Sequence, residues 1–287
     1  MRIFFWGGIA LSLLSSCSWY KNKYEPNTKV CQKAIFIPSQ IERAVAIDSI
    51  IRSGCLKDSS GFLEYMVQGE PIKPGRYLLG KGLSNEEIAR TFYLGKQSPW
   101  NLTFHRIEDM NDLAGIVCRK LEPDSTAFAH AFKDAALLEK HDFPTDPHIL
   151  PAYFIPNTYE FFWNSSPEDF LERMQKEYQR FWNEDRKSKA KTLGLSPVEV
   201  STLASIVQKE QAKWEDEWPT IAGLYLNRLN IGMRLQADPT VKYALGQPDL
   251  RRVLTRHLSI DHPYNTYQNL GLPPGPICIP LPNAIDA

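Results

Sequence analysis

Hydrophobic and polar positions divide this chain into three regimes. After Arg2 comes an apolar run, Ile3 to Leu14, closed by Ser15-Ser16-Cys17. It is short for a membrane-spanning helix, which needs about 20 apolar residues, and has the length of the apolar centre of a secretory signal. Two short βα units follow. Ala34-Ile35-Phe36-Ile37-Pro38 reads as a strand and Ile41 to Ile51 as an amphipathic helix. Pro74-Gly75 then reads as a turn and Arg76 to Leu79 as a strand, with Ser84-Asn85-Glu86-Glu87 as a capping box opening a helix that Gly95 closes. From residue 101 the periodicity is mostly helical, as at Phe170 to Trp182, with Lys187 to Lys191 as a solvated helix end or loop.

Ser196-Pro197-Val198-Glu199 marks a further helix start, with Ser at the cap, Pro at the first helical position and Glu three residues on. At about 100° per residue, Leu203, Ala204, Ile206 and Val207 share one buried arc. Glu210 falls inside that arc, Gln208 at its edge and Lys209 on the opposite side. A carboxyl among apolar side chains is desolvated, so its pKa rises and it can hold a proton near neutral pH, as a general acid must. A Glu that ends the helix and reaches solvent, or that pairs with a buried Arg, gives the same pattern.

The 287 residues suit one or two domains, and 43% hydrophobic with 23% charged residues is globular usage. Lys plus Arg (33) equals Asp plus Glu (33), which excludes the basic footprint of a dedicated nucleic-acid binder. The balance is polarised: residues 1–100 carry 13 basic and 8 acidic side chains, residues 101–287 carry 20 and 25. Leu14-Ser15-Ser16-Cys17 resembles a bacterial lipobox, in which Cys17 is lipidated and several acyl chains hold the protein to a membrane. An ordinary cleaved signal or a short signal anchor is the alternative, and each places the folded part outside the cytoplasm, on the periplasmic face. Cys31, Cys55, Cys118 and Cys278 are free to pair there or to remain buried thiols, and their spacing does not fix a connectivity. No C-x-x-C or His-rich spacing accompanies them, so no metal is expected. Gly80-Lys81-Gly82 lacks the Gly-Lys-Ser/Thr ending of a phosphate loop, and no cofactor is expected either.

Beyond Glu210, Ile221 to Leu229 reads as a helix. Gly232 to Val241, Pro263 to Tyr267 and Gly271 to Pro276 are dense in Asn, Gln, Asp, Thr and Tyr, groups suited to a neutral polyol or acetamide. Such a combination suggests sugar. Here the chain resembles the YceG-like family of endolytic murein transglycosylases. The matching residues are Ala204-Ser205-Ile206-Val207-Gln208-Lys209-Glu210, Asn227-Arg228-Leu229, Leu235-Gln236-Ala237-Asp238-Pro239-Thr240-Val241, Tyr264-Asn265-Thr266-Tyr267 and Gly271-Leu272-Pro273-Pro274-Gly275-Pro276. Upstream, Phe154 to Phe161 is similar to the family's Leu-Phe-Pro-Asp-Thr-Tyr-Glu segment, and Pro74-Gly75-Arg76-Tyr77 with its helix to a LysM-like module.

The resemblance implies that Glu210 is the catalytic acid and base. Gln208 stands where the family has another acid. Glu217 aligns with an acid before the Asn-Arg-Leu helix, offset by one inserted residue, and is a supporting or structural group. Gln236, Asp238, Thr240, Asn265, Tyr267 and Asn227 are the candidates for holding sugar, with loop scaffolding as the alternative. Trp214 and Trp218 either stack on sugar or belong to the core.

The implied architecture is α+β. A signal peptide spans residues 1–16, with the lipobox at 14–17, and a solvated tether spans 17–30. A small module with a LysM-like βα unit (31–100) precedes a larger α+β catalytic domain (101–287). Family chains continue into a tyrosine-rich strand region, so the closing strands of that domain are expected to be missing. The implied reaction cleaves the β-1,4 bond between N-acetylmuramic acid and N-acetylglucosamine without water, leaves a 1,6-anhydro end and terminates strand elongation. Peptidoglycan strands, a membrane and peptidoglycan synthases are the implied partners. A water-using muramidase with Asp238 as second carboxylate and a non-catalytic murein-binding lipoprotein are the rival readings.

Overall fold

The alternation in Ile35-Phe36-Ile37 becomes a strand, β1 (Ile35–Ile37), paired antiparallel with β2 (Gly75–Tyr77) so that Ile35 lies opposite Tyr77 and Phe36 opposite Arg76. In this computed structural model, which describes residues 20–66 and 69–287, the chain forms two compact units. One comprises residues up to Trp100 with Glu160–Asn164, the other Asn101–Tyr159 with Ser165–Ala287. The signal segment and Cys17 lie outside the described residues.

In the N-terminal unit the period of two turns Ile35, Ile37 and Tyr77 inward. There they meet Ile47 and Ile50 of helix Arg43–Arg52, Phe62 and Met66 of helix Ser59–Met66, and Ile88 and Phe92 of helix Asn85–Tyr93. The expected capping box forms: Ser84 Oγ accepts from Glu87 N at 3.3 Å and Glu87 Oε2 from Ser84 N at 2.9 Å. Gly95, at φ 68°, follows the helix in the left-handed conformation that glycine tolerates. Cys31 and Cys55 form a disulfide, while Cys118 and Cys278 are free.

The stretch expected as a solvated tether is a correction. Residues 20–24 form a helical turn, Asn27 and Thr28 are buried, and Thr28 Oγ1 donates to Gly80 O (2.7 Å) while accepting from Leu83 N (2.7 Å). Its polar side chains replace backbone partners inside the unit, so a hydrophilic composition here marks hydrogen bonding to distant segments.

A second two-stranded sheet pairs β3 (Trp100–Thr103) with β4 (Thr158–Phe161). The larger unit has an aromatic core in which Phe128 of helix Ser125–Ala131 meets Phe170 of helix Pro167–Phe181 edge-on at 5.7 Å, and Phe132 meets Phe154 at 5.6 Å. Lys187 to Lys191, expected as a helix end or loop, lies in a full helix, Glu184–Thr192. Asn183 caps it and Lys189 pairs with Asp185 at 2.8 Å one turn back.

Helix Pro197–Glu210 starts at the predicted capping box and packs with helices Trp218–Asn230, Asp238–Ala244 and Pro282–Asp286. Its burial departs from a single apolar arc. Ser201, Thr202, Ser205 and Gln208 are buried with Leu203, Ala204, Ile206 and Val207. Thr202 and Ser205 satisfy their hydroxyls on the helix's own carbonyls, at Val198 O (2.8 Å) and Thr202 O (2.7 Å). Gln208, placed at the arc's edge from sequence, is instead interior and accepts from Leu281 N at 2.7 Å. The architecture is α+β, as the pattern implies.

Candidate active site

Glu210 is the last residue of the buried helix, with Gln211 as its C-cap. This corrects the expectation of a carboxyl enclosed among Leu, Ile and Val: the residue is exposed. Its pKa is nevertheless raised, first by desolvation from the protein packed around it and then by the charge of Asp238; the Tyr225 hydroxyl, which hydrogen-bonds the carboxyl, and the charges of Lys242 and Arg228 oppose the shift. The site is thus an open wall of protein, where water reaches the carboxyl but cannot surround it. The negative end of the helix dipole at this C-terminus also disfavours the carboxylate.

Tyr225 and Arg228 come from helix Trp218–Asn230, three residues apart on one face. Tyr225 is buried, and desolvation and the Glu210 charge hold its hydroxyl protonated as a donor. The Arg228 guanidinium lies 5.9 Å from the centre of the Tyr225 ring and donates to Leu235 O, tying the helix to the loop that leads to Asp238. Asp238 opens helix Asp238–Ala244 and accepts from the Tyr267 hydroxyl at 2.7 Å. Tyr267 is pushed up to about 12 by desolvation and by that bond and charge.

Of the residues singled out from sequence, Glu210, Asp238 and Tyr267 therefore meet. Gln236 stands beside them, exposed, with its backbone in the left-handed region (φ 54°) and held there by its own N–H to Thr266 O at 3.1 Å. A strained non-glycine residue next to a titratable cluster is where strain tends to be kept for function. Thr240 and Asn265 are scaffold in this structure. Thr240 is fully buried, its hydroxyl shared between Ala237 O and Thr266 Oγ1 at 2.8 Å each. Asn265 is also fully buried, donating to Leu258 O and Ile260 O and accepting from Tyr267 N at 3.0 Å. Asn227 is exposed and, two residues from Tyr225, leaves the helix on another side. Glu217 supports the loop after Glu210 by accepting from Gln211 Nε2 at 2.8 Å. Trp218 is core, its indole donating to Gln211 O at 2.8 Å, whereas Trp214 is half exposed. Among the described residues no cluster of three or more His, Cys, Asp or Glu is placed to hold a metal ion.

Sequence reasoning missed Tyr225, Arg228 and Lys242. The first two carry a legible signal, since they share one face of the helix that also bears Asn227.

Residues 36–287 match the YceG-like family. A Bacillus subtilis protein, an endolytic murein transglycosylase, is 30% identical over 249 residues, covering 81% of this chain and 68% of its own. A protein of the same name from Streptococcus pneumoniae is 35% identical over 75% of this chain and 44% of its own length, so the chain spans less than half of that relative. The crystal structure of a yceG-like protein from Listeria monocytogenes superposes with a TM-score of 0.56 at 24% identity over 88% of both chains, a likeness of fold. Since the match runs from the first strand of the N-terminal unit through the Glu210 helix to Ala287, the chain belongs to the YceG-like family.

Proposed function

We propose that this protein is an endolytic peptidoglycan lytic transglycosylase, cleaving the β-1,4 bond between N-acetylmuramic acid and N-acetylglucosamine and leaving 1,6-anhydro ends. The observation that carries the reading is the Glu210 carboxyl, reachable from solvent yet desolvated enough to hold its proton above the ordinary glutamate range. The names of the relatives support the same substrate.

Protonated Glu210 gives its proton to the glycosidic oxygen while the bond from that oxygen to the anomeric carbon breaks, the electron pair staying on oxygen. The C6 hydroxyl of the muramyl ring attacks the anomeric carbon, and its proton passes to the Glu210 carboxylate, restoring the acid. One carboxyl group closes the proton count, where hydrolysis requires two. Asp238, steadied by Tyr267, faces the positive charge that develops on the ring. Because the nucleophile belongs to the substrate, orientation supplies much of the rate. Anchored by lipid on Cys17, or instead by its uncleaved signal segment, the enzyme would act on the periplasmic face beside the synthases, ending the growth of new strands.

The test is digestion of purified murein by wild type and Glu210→Gln, with product ends identified by mass spectrometry. Anhydro ends that disappear in the variant are the expected result. Reducing ends would mean a hydrolytic muramidase, and no cleavage by either protein a murein-binding role.

A further inference from the structure

We propose that the cavity lined by Lys242 is a subsite for a carboxylate carried on the muramic-acid substituent of the glycan. This inference rests on the glycan-cleaving reading above and specifies how that site selects its substrate.

Lys242 lies four residues after Asp238 on helix Asp238–Ala244, so both side chains leave the same face one turn apart. It is half-buried and lines a recess of about 260 Å³ with Glu108, Asp109, Lys209, Tyr243 and Ile277. The other charges of the recess are engaged. Lys209 is paired with Glu108, and Asp109 Oδ1 caps helix Met110–Val117 by accepting from Asn111 N and Asp112 N at 2.8 Å each. Asp238 is the i,i+4 neighbour of Lys242, but it accepts from the Tyr267 hydroxyl and makes no ion pair with the lysine. Among the described residues no carboxylate oxygen lies within 4.0 Å of the Lys242 ammonium. A half-buried cation with no carboxylate at ion-pair distance, which feels only the more distant Glu210 and sits against a wall that includes Pro239 and Ile277, favours an incoming anion.

The glycan backbone itself is neutral. Its anions sit on the lactyl ether of muramic acid, as the lactyl carboxylate where the peptide has been removed and as peptide carboxylates where the stem is attached. A second recess of about 200 Å³, sharing Glu108, Asp109 and Tyr243 and reaching Phe132 and Cys278, gives room for a branch leaving the glycan.

The test titrates the full chain carrying Glu210→Gln, which cannot turn the ligand over, with three glycan oligosaccharides: one bearing stem peptides, one stripped by an amidase to free lactyl carboxylates, and one with those carboxyls reduced to alcohols. Lys242→Met in this background is expected to weaken one of the two anionic ligands about tenfold, the scale of a charge-assisted hydrogen bond, and Lys242→Arg to restore most of it. Loss confined to the peptide-bearing ligand assigns the subsite to a stem carboxylate; loss confined to the stripped one assigns it to the lactyl group. Unchanged affinity for both, an equal loss with the reduced ligand, or no binding by the parent overturns the proposal. Cleavage of murein by wild type without Lys242-dependent binding removes this inference alone. Lys242-dependent binding without cleavage removes the lytic reading and leaves the subsite standing.

Discussion

Tyr267→Phe deletes one hydroxyl and asks whether Asp238 must be held in place for the reaction. The Tyr267 hydroxyl donates to Asp238 Oδ1 at 2.7 Å, the length of a charge-assisted bond, and both residues are half-buried. Hydrogen bonds to charged groups contribute about 1.5–3 kcal/mol, and partial exposure puts this one near the lower end, about 1.5 kcal/mol. If Asp238 acts only on the charge that develops in the transition state, that energy appears in kcat, where 1.4 kcal/mol is about tenfold, with KM little changed. Phenylalanine keeps the ring in its packing, so Tm should fall only about 3–6 °C. The assay is release of anhydro-ended muropeptides well below Tm, where the folded fraction is constant. Asp238→Asn should lose activity by itself, and adding Tyr267→Phe to it should cost little more, because the two act as one unit. A kcat within about twofold of wild type, or losses that simply add, would refute the idea that Tyr267 works through Asp238.

In the proposed mechanism the protonated form of Glu210 starts the reaction, so activity should fall as pH rises through its pKa, which lies above the ordinary glutamate range; Lys242→Met removes a charge that lowers it, so the fall should move to higher pH, and a profile that stays put or moves down contradicts this placement. A carboxyl whose folded pKa is raised lends stability below its unfolded pKa that is lost as pH climbs through the folded value. Glu210→Gln should therefore melt no lower than wild type at neutral pH by differential scanning calorimetry, and a clear drop would argue against desolvation. Thr240→Val leaves the buried partners of the hydroxyl unmatched and should cost about 1–3 kcal/mol in urea unfolding, whereas a raised KM at unchanged stability would return Thr240 to the sugar. Replacing Cys31 and Cys55 by serine frees a loop with a sequence separation of 24 and should lower stability by about 3 kcal/mol; an unshifted denaturation midpoint would mean the unfolded chain is not constrained by the bridge.

Features decided by residues three or four apart could be read directly. Ser84 with Glu87 and Ser196 with Glu199 open their helices as expected because a capping box is complete within one turn. Features decided by distant partners could not. Residues 26–28 look like linker, yet Thr28 bridges Gly80 and Leu83, more than fifty positions away. Composition records that Thr is polar and says nothing of whether water or another strand of chain will satisfy it.

The site divides in the same way. The helical pattern puts Glu210 on the apolar face of its helix, but the side chain is exposed, since a helix whose Ser and Thr hydroxyls fold back on its own backbone is buried on nearly every side along its length and opens only at its end. The groups that tune Glu210 come from elsewhere in the chain: Tyr225, which hydrogen-bonds the carboxyl, from one helix, and Asp238, held by Tyr267, whose charge raises the pKa, from the first residue of another. A general acid for a polymer has two conflicting needs, to be reached by a strand that cannot enter a closed cavity and to be shielded enough to keep its proton. A side chain in the middle of the buried helix meets only the second, and one on an outer helix only the first. At the last residue of that helix the backbone is held by the core while the side chain emerges among groups from other elements, so the end position, more than the apolar arc, is what suits Glu210 to the role proposed for it.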